Sequence, residues 1–411
     1  MKNSHSSANT ILLISIENIN NAGDELLRIT TGYLVEKVGK ELNKVYRIER
    51  MQFFPFKDDL PLAFKPDYYI GSIIKALSRR FKGSDREYSL LDIAFKVQYS
   101  RYYSSFIKKA SKIIFTIGML KYSTQYCSFF FHLINSIANK YGKPVLMNAL
   151  SIEKASQEDW RYRQLVDAVA FPCVRAVTTR DGSEGLRRLK MDYIKDKNVT
   201  ADYVGDPALW VPECFNVVRR TPIASTEGDK RLIGIGLVRK GIFKLYHKDF
   251  SKDQVEDLYI RVISEVKKRG YDYFLFCNGI RSDYLFGQEL VSKYGLPSEK
   301  LCPPPHSGKE LIDILSLCDA VLGVRLHACV CSVALGIPVA GLIWDEKIES
   351  FSDTMGIRQL FSTVEEFDEK LIVDKIESAM RPDSAIGTDT LSLFKEKTHY
   401  YIKSFLRDEL S

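Results

Sequence analysis

Short apolar runs alternate with helix-length amphipathic stretches along almost the whole chain. The runs at 11–16, 113–118, 145–149, 174–179 and 203–204 in the first half are rich in Ile, Val and Leu. So are those at 232–238, 273–277, 320–323 and 339–343 in the second half. Runs this short and this apolar read as strands buried on both faces. Between them lie helical patterns such as 252–269, with Val255, Leu258, Val262, Ile263 and Val266 on one side. Strand and helix in alternation predict an α/β protein with mostly parallel, doubly wound sheets.

The alternation breaks once. Residues 212–230 are polar, hold two prolines and end in a Gly-Asp turn, after which a fresh strand begins at Leu232. The expected organisation is two Rossmann-like domains, 1–220 and 221–375, facing a central cleft. A helical segment, 376–411, carries Leu391, Phe394, Tyr401, Ile402 and Phe405 at helical spacing and could pack across the junction. A chain of 411 residues is long enough for two such cores.

Composition narrows the class only a little. Apolar residues at 45% and charged residues at 27% are those of a globular protein. The net charge of +7 suits anionic ligands or a peripheral stay at an anionic membrane and is no nucleic-acid signature. The eight cysteines are scattered, none in a CxxC pair, and read as reduced core thiols; no Cys/His cluster has metal-ligand spacing, so no metal is expected. No run approaches the ~20 apolar residues of a membrane span. The first apolar run is too short for a signal peptide. The expected location is the cytoplasm, with the inner face of the membrane open as a peripheral site. Residues 53–112 are rich in aromatics and bases. Ordinary amphipathic helices with solvated basic faces explain them, and an acceptor-side or membrane-facing surface is the alternative.

Residues 319–347 carry the clearest chemistry. An apolar run ends at Gly323, the basic pair Arg325 and His327 follows, a short helix runs to Gly336, and a second apolar run ends before Asp345-Glu346-Lys347. The basic pair is thereby placed at the carboxyl end of a strand and the amino end of a helix, where open α/β sheets bind anions. Arg239 closes the first strand of the second domain and can aim at the same anion. The GxG at 234–236 is weak evidence for phosphate binding on its own.

Three further segments lie at strand ends. In the loop Asn21-Ala-Gly-Asp24, Asp24 reads either as a helix cap or as a carboxylate for sugar hydroxyls or proton removal. Arg180-Asp181 with Ser183 opens a short helix, with Asp181 or Ser183 as the cap. Asp206-Pro207 reads as a turn.

Together these segments resemble the polysaccharide pyruvyl transferase family. The resemblance is carried by Asn21-Ala-Gly-Asp24, Arg180-Asp181 with Ser183, Asp206-Pro-Ala208 and, most specifically, Gly323-Val-Arg-Leu-His-Ala328. The spacing to Gly336-Ile-Pro338 and Lys347 also fits. Two departures stand out. Ile-Gly-Met-Leu-Lys-Tyr occupies 117–122 where the family has a glycine-rich turn, and Trp344 stands where the family has a tyrosine.

The resemblance implies a GT-B-like fold with an acceptor-side amino-terminal domain and a donor-binding carboxyl-terminal domain. It implies transfer of a pyruvyl group from phosphoenolpyruvate to two hydroxyls of a cell-surface glycan or its lipid-linked precursor, forming a cyclic ketal without cofactor. On that reading His327 and Asp24 are catalytic, and Arg239, Arg325, Leu326, Asn21, Gly23, Arg180 and Lys347 bind substrate. A nucleotide-sugar glycosyltransferase of the same fold would use the same cations. A non-catalytic subunit of a polysaccharide assembly complex is the other alternative.

Overall fold

The structure is a computed structural model that describes residues 9–17, 21–83, 85–124, 126–194, 198–218, 230–245, 249–382 and 388–410. These fall into two compact units. One comprises the chain up to residue 18, 31–204 and the chain from 398 onward; the other comprises 19–30 and 205–397.

The first unit is built on strands β1 (Thr10–Ser15), β2 (Arg47–Gln52), β3 (Lys112–Phe115), β4 (Met119–Leu120), β5 (Val145–Ile152), β6 (Val174–Thr179) and β7 (Thr200–Tyr203). They lie parallel in the order β2-β1-β3-β5-β6-β7, with β4 beside β5. The second unit holds β8 (Leu232–Gly236), β9 (Asp272–Phe276), β10 (Ala320–Gly323), β11 (Val339–Leu342) and β12 (Phe361–Ser362). These are also parallel, in the order β12-β11-β10-β8-β9.

All nine apolar runs correspond to strands. The three strands without such a run have physical reasons for lacking one. The sequence of β2, RIERMQ, sits at a sheet edge and buries only Met51, so it needs no two-sided apolar pattern. β4 and β12 are two residues each, below the length at which periodicity is visible. The run at 145–149 extends to Ile152 past a register shift at Ala149, whose φ of 50° kinks the strand while its amide bonds to Thr178 Oγ1 at 2.8 Å.

Each sheet buries apolar side chains against its helices. In the first unit Phe53, Phe115, Phe130 and Phe131 meet in tilted, stacked and edge-to-face contacts. Each such ring contributes roughly 1.5–3 kcal/mol by burial. In the second unit the ring of Phe361 occupies the space a Cβ on Gly341 would take, 2.1 Å from that point, so this strand position requires glycine.

The sequence reading draws the domain boundary at 220, whereas contacts group 205–218 with the second unit. The reason is specific bonding. Gly205 donates its amide to Phe394 O at 3.3 Å, and Trp210 Nε1 donates to Lys395 O at 3.3 Å. Residues 376–397 join the same unit, and residues from 398 join the other.

The second sheet fixes where a ligand would bind. The chain enters at β8, passes to β9 on one side and then returns to β10 on the other. β8 and β10 are thus the neighbours between which connections leave in opposite directions, the topological switch point. Arg239 follows β8 and Arg325 follows β10.

Candidate functional site

Within the second unit the carboxyl ends of β8, β9, β10 and β11 assemble a cluster around Arg325. Arg325 is the N-cap of the helix Leu326–Leu335, but its side chain makes no capping bond. It turns instead to Asp283 in the helix Arg281–Tyr294 that follows β9. The bonds are Nε to Oδ2 at 2.9 Å and Nη2 to Oδ1 and Oδ2 at 2.8 and 2.7 Å. Asp283 is wholly buried, and its Oδ1 also accepts the Arg239 amide at 3.0 Å. One carboxylate therefore ties the ends of the two switch-point strands together. Burial pushes this carboxyl above its ordinary range, against the opposing pull of Arg325 and the Arg239 amide. Such fork-on-carboxylate geometry fixes the guanidinium plane.

The other face of Arg325 meets Trp344, whose ring centroid is 5.3 Å away. Trp344 is itself pinned, donating Nε1–H to Val324 O at 2.6 Å. With Asp283 occupying the Nε–Nη2 edge, the Nη1 end is what Arg325 has left to offer a ligand. Arg239 contributes its main chain to the clamp and brings Nη1 to 3.5 Å from Ser282 Oγ. The adjacent Lys240 turns elsewhere, to Glu256 and to Glu289.

His327 lies one turn-step beyond Arg325 and is buried. Its Nε2 is 3.7 Å from Asp206 Oδ2, too long for a hydrogen bond. The other Asp206 oxygen accepts the Ala208 amide at 2.8 Å, which holds the carboxylate in place. The opposite side of the imidazole packs on Gly23: a Cβ there would lie 2.1 Å from Nδ1. Glycine is needed at 23 because the ring occupies the space of a side chain.

The segment around Gly23 is docked to the same strand ends. The Ala22 amide donates to Asn278 O at 2.9 Å just past β9, and the Gly308 amide donates to Glu25 Oε2 at 2.6 Å. The helix Ala22–Glu41 is capped by Asn21, not by Asp24. Asn21 Oδ1 accepts the Gly23 amide at 3.1 Å while Nδ2 donates to Asp24 Oδ2 at 2.9 Å. Asp24 lies in the first helical turn, three residues past the cap, where its charge favours the helix dipole. Reading Asp24 as the cap fails because the helix starts two residues earlier than its charged pair suggests.

The structure thus brings Asn21, Gly23, Asp24, Arg239, Arg325, Leu326 and His327 into one unit, the second. Lys347 belongs to that unit too, in the first turn of the helix Glu346–Thr354, its amide bonded to the capping Asp345 carboxylate at 3.1 Å. Arg180 belongs to the first unit. There its Nη2 donates to Gly118 O at 2.9 Å and its Nε to Ser151 Oγ at 3.3 Å, so it braces the 117–122 turn at the ends of β5 and β6. Asp181 likewise accepts the Ile152 amide at 2.7 Å.

Asp283 went unrecognised in the sequence: it lies in the pattern Arg281-Ser-Asp283, which looks like any helix start. Asp206, singled out as a turn and as part of the family resemblance, does form that turn, and its second oxygen faces His327, which the sequence did not indicate.

A family model described as polysaccharide pyruvyl transferase matches residues 21–346, which include all of the cluster but Lys347. The chain belongs to the polysaccharide pyruvyl transferase family. No curated protein sequence matches it. Solved structures resemble it in fold at low identity. UDP-GlcNAc 2-epimerase from Neisseria meningitidis, bound to UDP-GlcNAc, is 10% identical with a TM-score of 0.54, covering 97% of this chain and all (100%) of that one. The Methanocaldococcus jannaschii UDP-GlcNAc 2-epimerase is 9% identical at a TM-score of 0.52, covering 97% and 99%. An alpha,alpha-trehalose 6-phosphate synthase from Burkholderia multivorans is 10% identical at 0.52, covering 98% and 95%. These likenesses establish a GT-B-like fold. Membership makes this polysaccharide pyruvyl transferase family protein a transferase acting on polysaccharide, with a glycan acceptor.

Proposed function

We propose that the protein transfers the pyruvyl group of phosphoenolpyruvate to a cell-surface polysaccharide or its precursor, forming a pyruvate ketal. The observation that carries this reading is the clamp of Arg325 and Arg239 on Asp283 at the switch point, beside His327. Phosphoenolpyruvate bears a phosphate and a carboxylate, and the held guanidinium of Arg325, with the Arg239 side chain at the neighbouring strand end and a helix N-terminus without a side-chain cap, suits two such anions. No metal or organic cofactor is required by the chemistry.

The reaction balances as follows. A proton adds to the methylene carbon of the enol, which becomes the methyl group and leaves the central carbon electrophilic. The two sugar hydroxyls form two C–O bonds to that carbon, and the C–O bond to phosphate breaks. One hydroxyl proton replaces the proton given to the methyl group, and the other leaves with inorganic phosphate. His327 binds the phosphate and is the acid, with Asp206 orienting it and Gly23 fixing its plane. Asp24 is the base for the acceptor hydroxyl. Leu326, Asn21 and Lys347 line the donor side, and Arg180 belongs to the acceptor side. The expected setting is the cytoplasm.

The test is product mass. Incubated with phosphoenolpyruvate and glycan extracted from a deletion strain, the protein is expected to add the mass of pyruvate less one water and release one phosphate per ketal. Glycosyl mass gained from a nucleotide sugar instead would overturn the proposal in favour of a glycosyltransferase. No transfer from any donor, with surface glycan unaltered in the deletion strain, would favour a non-catalytic subunit.

A further inference from the structure

The first unit carries an exposed apolar stripe unrelated to the Arg325 cluster. Among the described residues, eighteen large apolar side chains are exposed, and six of them fall within residues 62–81: Leu62, Tyr69, Ile70, Ile73, Leu77 and Phe81. Concentration of a third of them in so short a segment is the feature that needs a cause.

The helix Lys65–Ser78 explains the geometry. One face is committed to the neighbouring helix Asp85–Ile107. Gln98 Nε2 bonds to Tyr68 O at 3.1 Å and to Ser72 Oγ at 2.9 Å. Gly71 presses so close that a Cβ would lie 2.1 Å from Gln98 Cγ and 2.6 Å from Ala94 O. The opposite face presents Ile70, Ile73 and Leu77, spaced three and four residues apart and therefore side by side. Ile73 is 62% exposed, in a helix whose other face is packed on its neighbour; among the described residues nothing buries it.

Bases border the stripe. Residues 65–82 hold five bases against the single acid Asp67, which is paired with Arg101 at 3.0 Å; Lys75 lies over the rings of Phe95 and Tyr126, which leaves Lys65, Arg79, Arg80 and Lys82. Arg79, Arg80 and Lys82 are exposed where the helix ends beside Phe81. Apolar residues along one helical face, an aromatic at each end and a basic border match a bilayer surface with anionic headgroups. A protein partner with a neutral rim would use the stripe and leave these bases unmatched. No described helix is long and apolar enough to cross a membrane, so the match is to the surface and not the interior.

We infer that the segment 62–82 docks the protein on an anionic lipid surface, with Ile70, Ile73 and Leu77 entering the headgroup region and Arg79, Arg80 and Lys82 meeting lipid phosphates. The inference does not depend on the donor proposed above, and it holds or fails independently of any transfer activity.

Co-sedimentation of the full chain with vesicles tests it. The protein is expected to bind phosphatidylglycerol/phosphatidylcholine vesicles and to bind pure phosphatidylcholine far more weakly, with binding falling as salt rises. Arg79→Ala/Arg80→Ala/Lys82→Ala is expected to weaken anionic-vesicle binding by about fivefold per base, roughly a hundredfold in all. Ile73→Asp/Leu77→Asp should abolish binding while leaving the unfolding transition unchanged, since both side chains are exposed. Equal binding to the two vesicle types, or binding undiminished in either variant, overturns the inference. So does a stable dimer by light scattering that Ile73→Asp/Leu77→Asp dissociates, which would assign the stripe to a second copy of the chain.

Discussion

Asp283 holds Arg325 along one edge of its guanidinium, with contacts of 2.7–2.9 Å, while accepting the Arg239 amide on the same carboxylate. The pair is inside the second unit, Asp283 wholly buried. Removing one partner strands the other. Arg325→Ala is expected to cost about 3–5 kcal/mol, mostly from the uncompensated carboxylate. Asp283→Asn/Arg325→Met, which removes both charges, should recover part of that loss. Urea unfolding of the two variants and the parent measures it; a single variant as stable as the parent would mean the pair is not clamped in solution.

Gly23 and His327 make the second prediction. Gly23→Ala places a Cβ 2.1 Å from the present position of Nδ1, so the imidazole must leave its present place beside the carboxylate of Asp206. Unfolding free energy is expected to fall by about 1–3 kcal/mol, because the added methyl overpacks a buried position in the first turn of the helix. Ketal formation should fall on the order of a hundredfold, the effect of an ångström-scale misplacement. A rate unchanged by Gly23→Ala would remove His327 from the chemistry.

How much of this was legible in the sequence follows from what kind of signal each feature leaves. Central parallel strands are buried on both sides and announce themselves as apolar runs, as at 320–323. The edge strand β2 is half exposed, so its RIERMQ carries no such run. Arg325 and His327 were legible because a strand end and a helix start bracket them. Asp283, and the approach of Asp206 to His327, were not, because each reaches the cluster from a distant segment whose local sequence describes a cap or a turn. The helix start at Ala22 was misplaced for a related reason: Asn21 and Asp24 both look like caps, and only the bond from the Gly23 amide decides between them. The exposed stripe at 62–82 was legible as amphipathic, but sequence alone could not tell which face was covered.

Trp344 separates two roles. Trp344→Phe keeps a ring against Arg325 and loses the bond to Val324 O, with an expected cost of about 1 kcal/mol. Trp344→Ala loses the packing as well, at about 3–5 kcal/mol. Thermal unfolding of both variants distinguishes them; equal losses would show that the ring itself contributes nothing.

Glu256 sets an acid limit on the second unit. Lys240 and Lys293 hydrogen-bond its carboxylate and hold its pKa down to about 2, against an ordinary value of 4.5. A depressed folded-state pKa stabilises the fold above the unfolded value and loses that stabilisation as pH falls towards the folded one. Stability is therefore expected to drop between about pH 4.5 and about pH 2. Glu256→Gln should be less stable at neutral pH and show a shallower drop over that window. Unfolding midpoints measured across the window check it, and parallel curves for the two proteins would contradict it.

The central claim is that the Arg239–Arg325–His327 cluster binds phosphoenolpyruvate. Its most direct test is a thermal-shift titration of the parent protein and of Arg239→Ala, which keeps the main-chain bond to Asp283 and so leaves the clamp in place. Phosphoenolpyruvate at a hundred times its dissociation constant should stabilise the parent by about 2.7 kcal/mol. UDP- and GDP-sugars should have no such effect, and Arg239→Ala should require substantially more phosphoenolpyruvate for the same shift. Stabilisation by a nucleotide sugar and none by phosphoenolpyruvate would contradict the account.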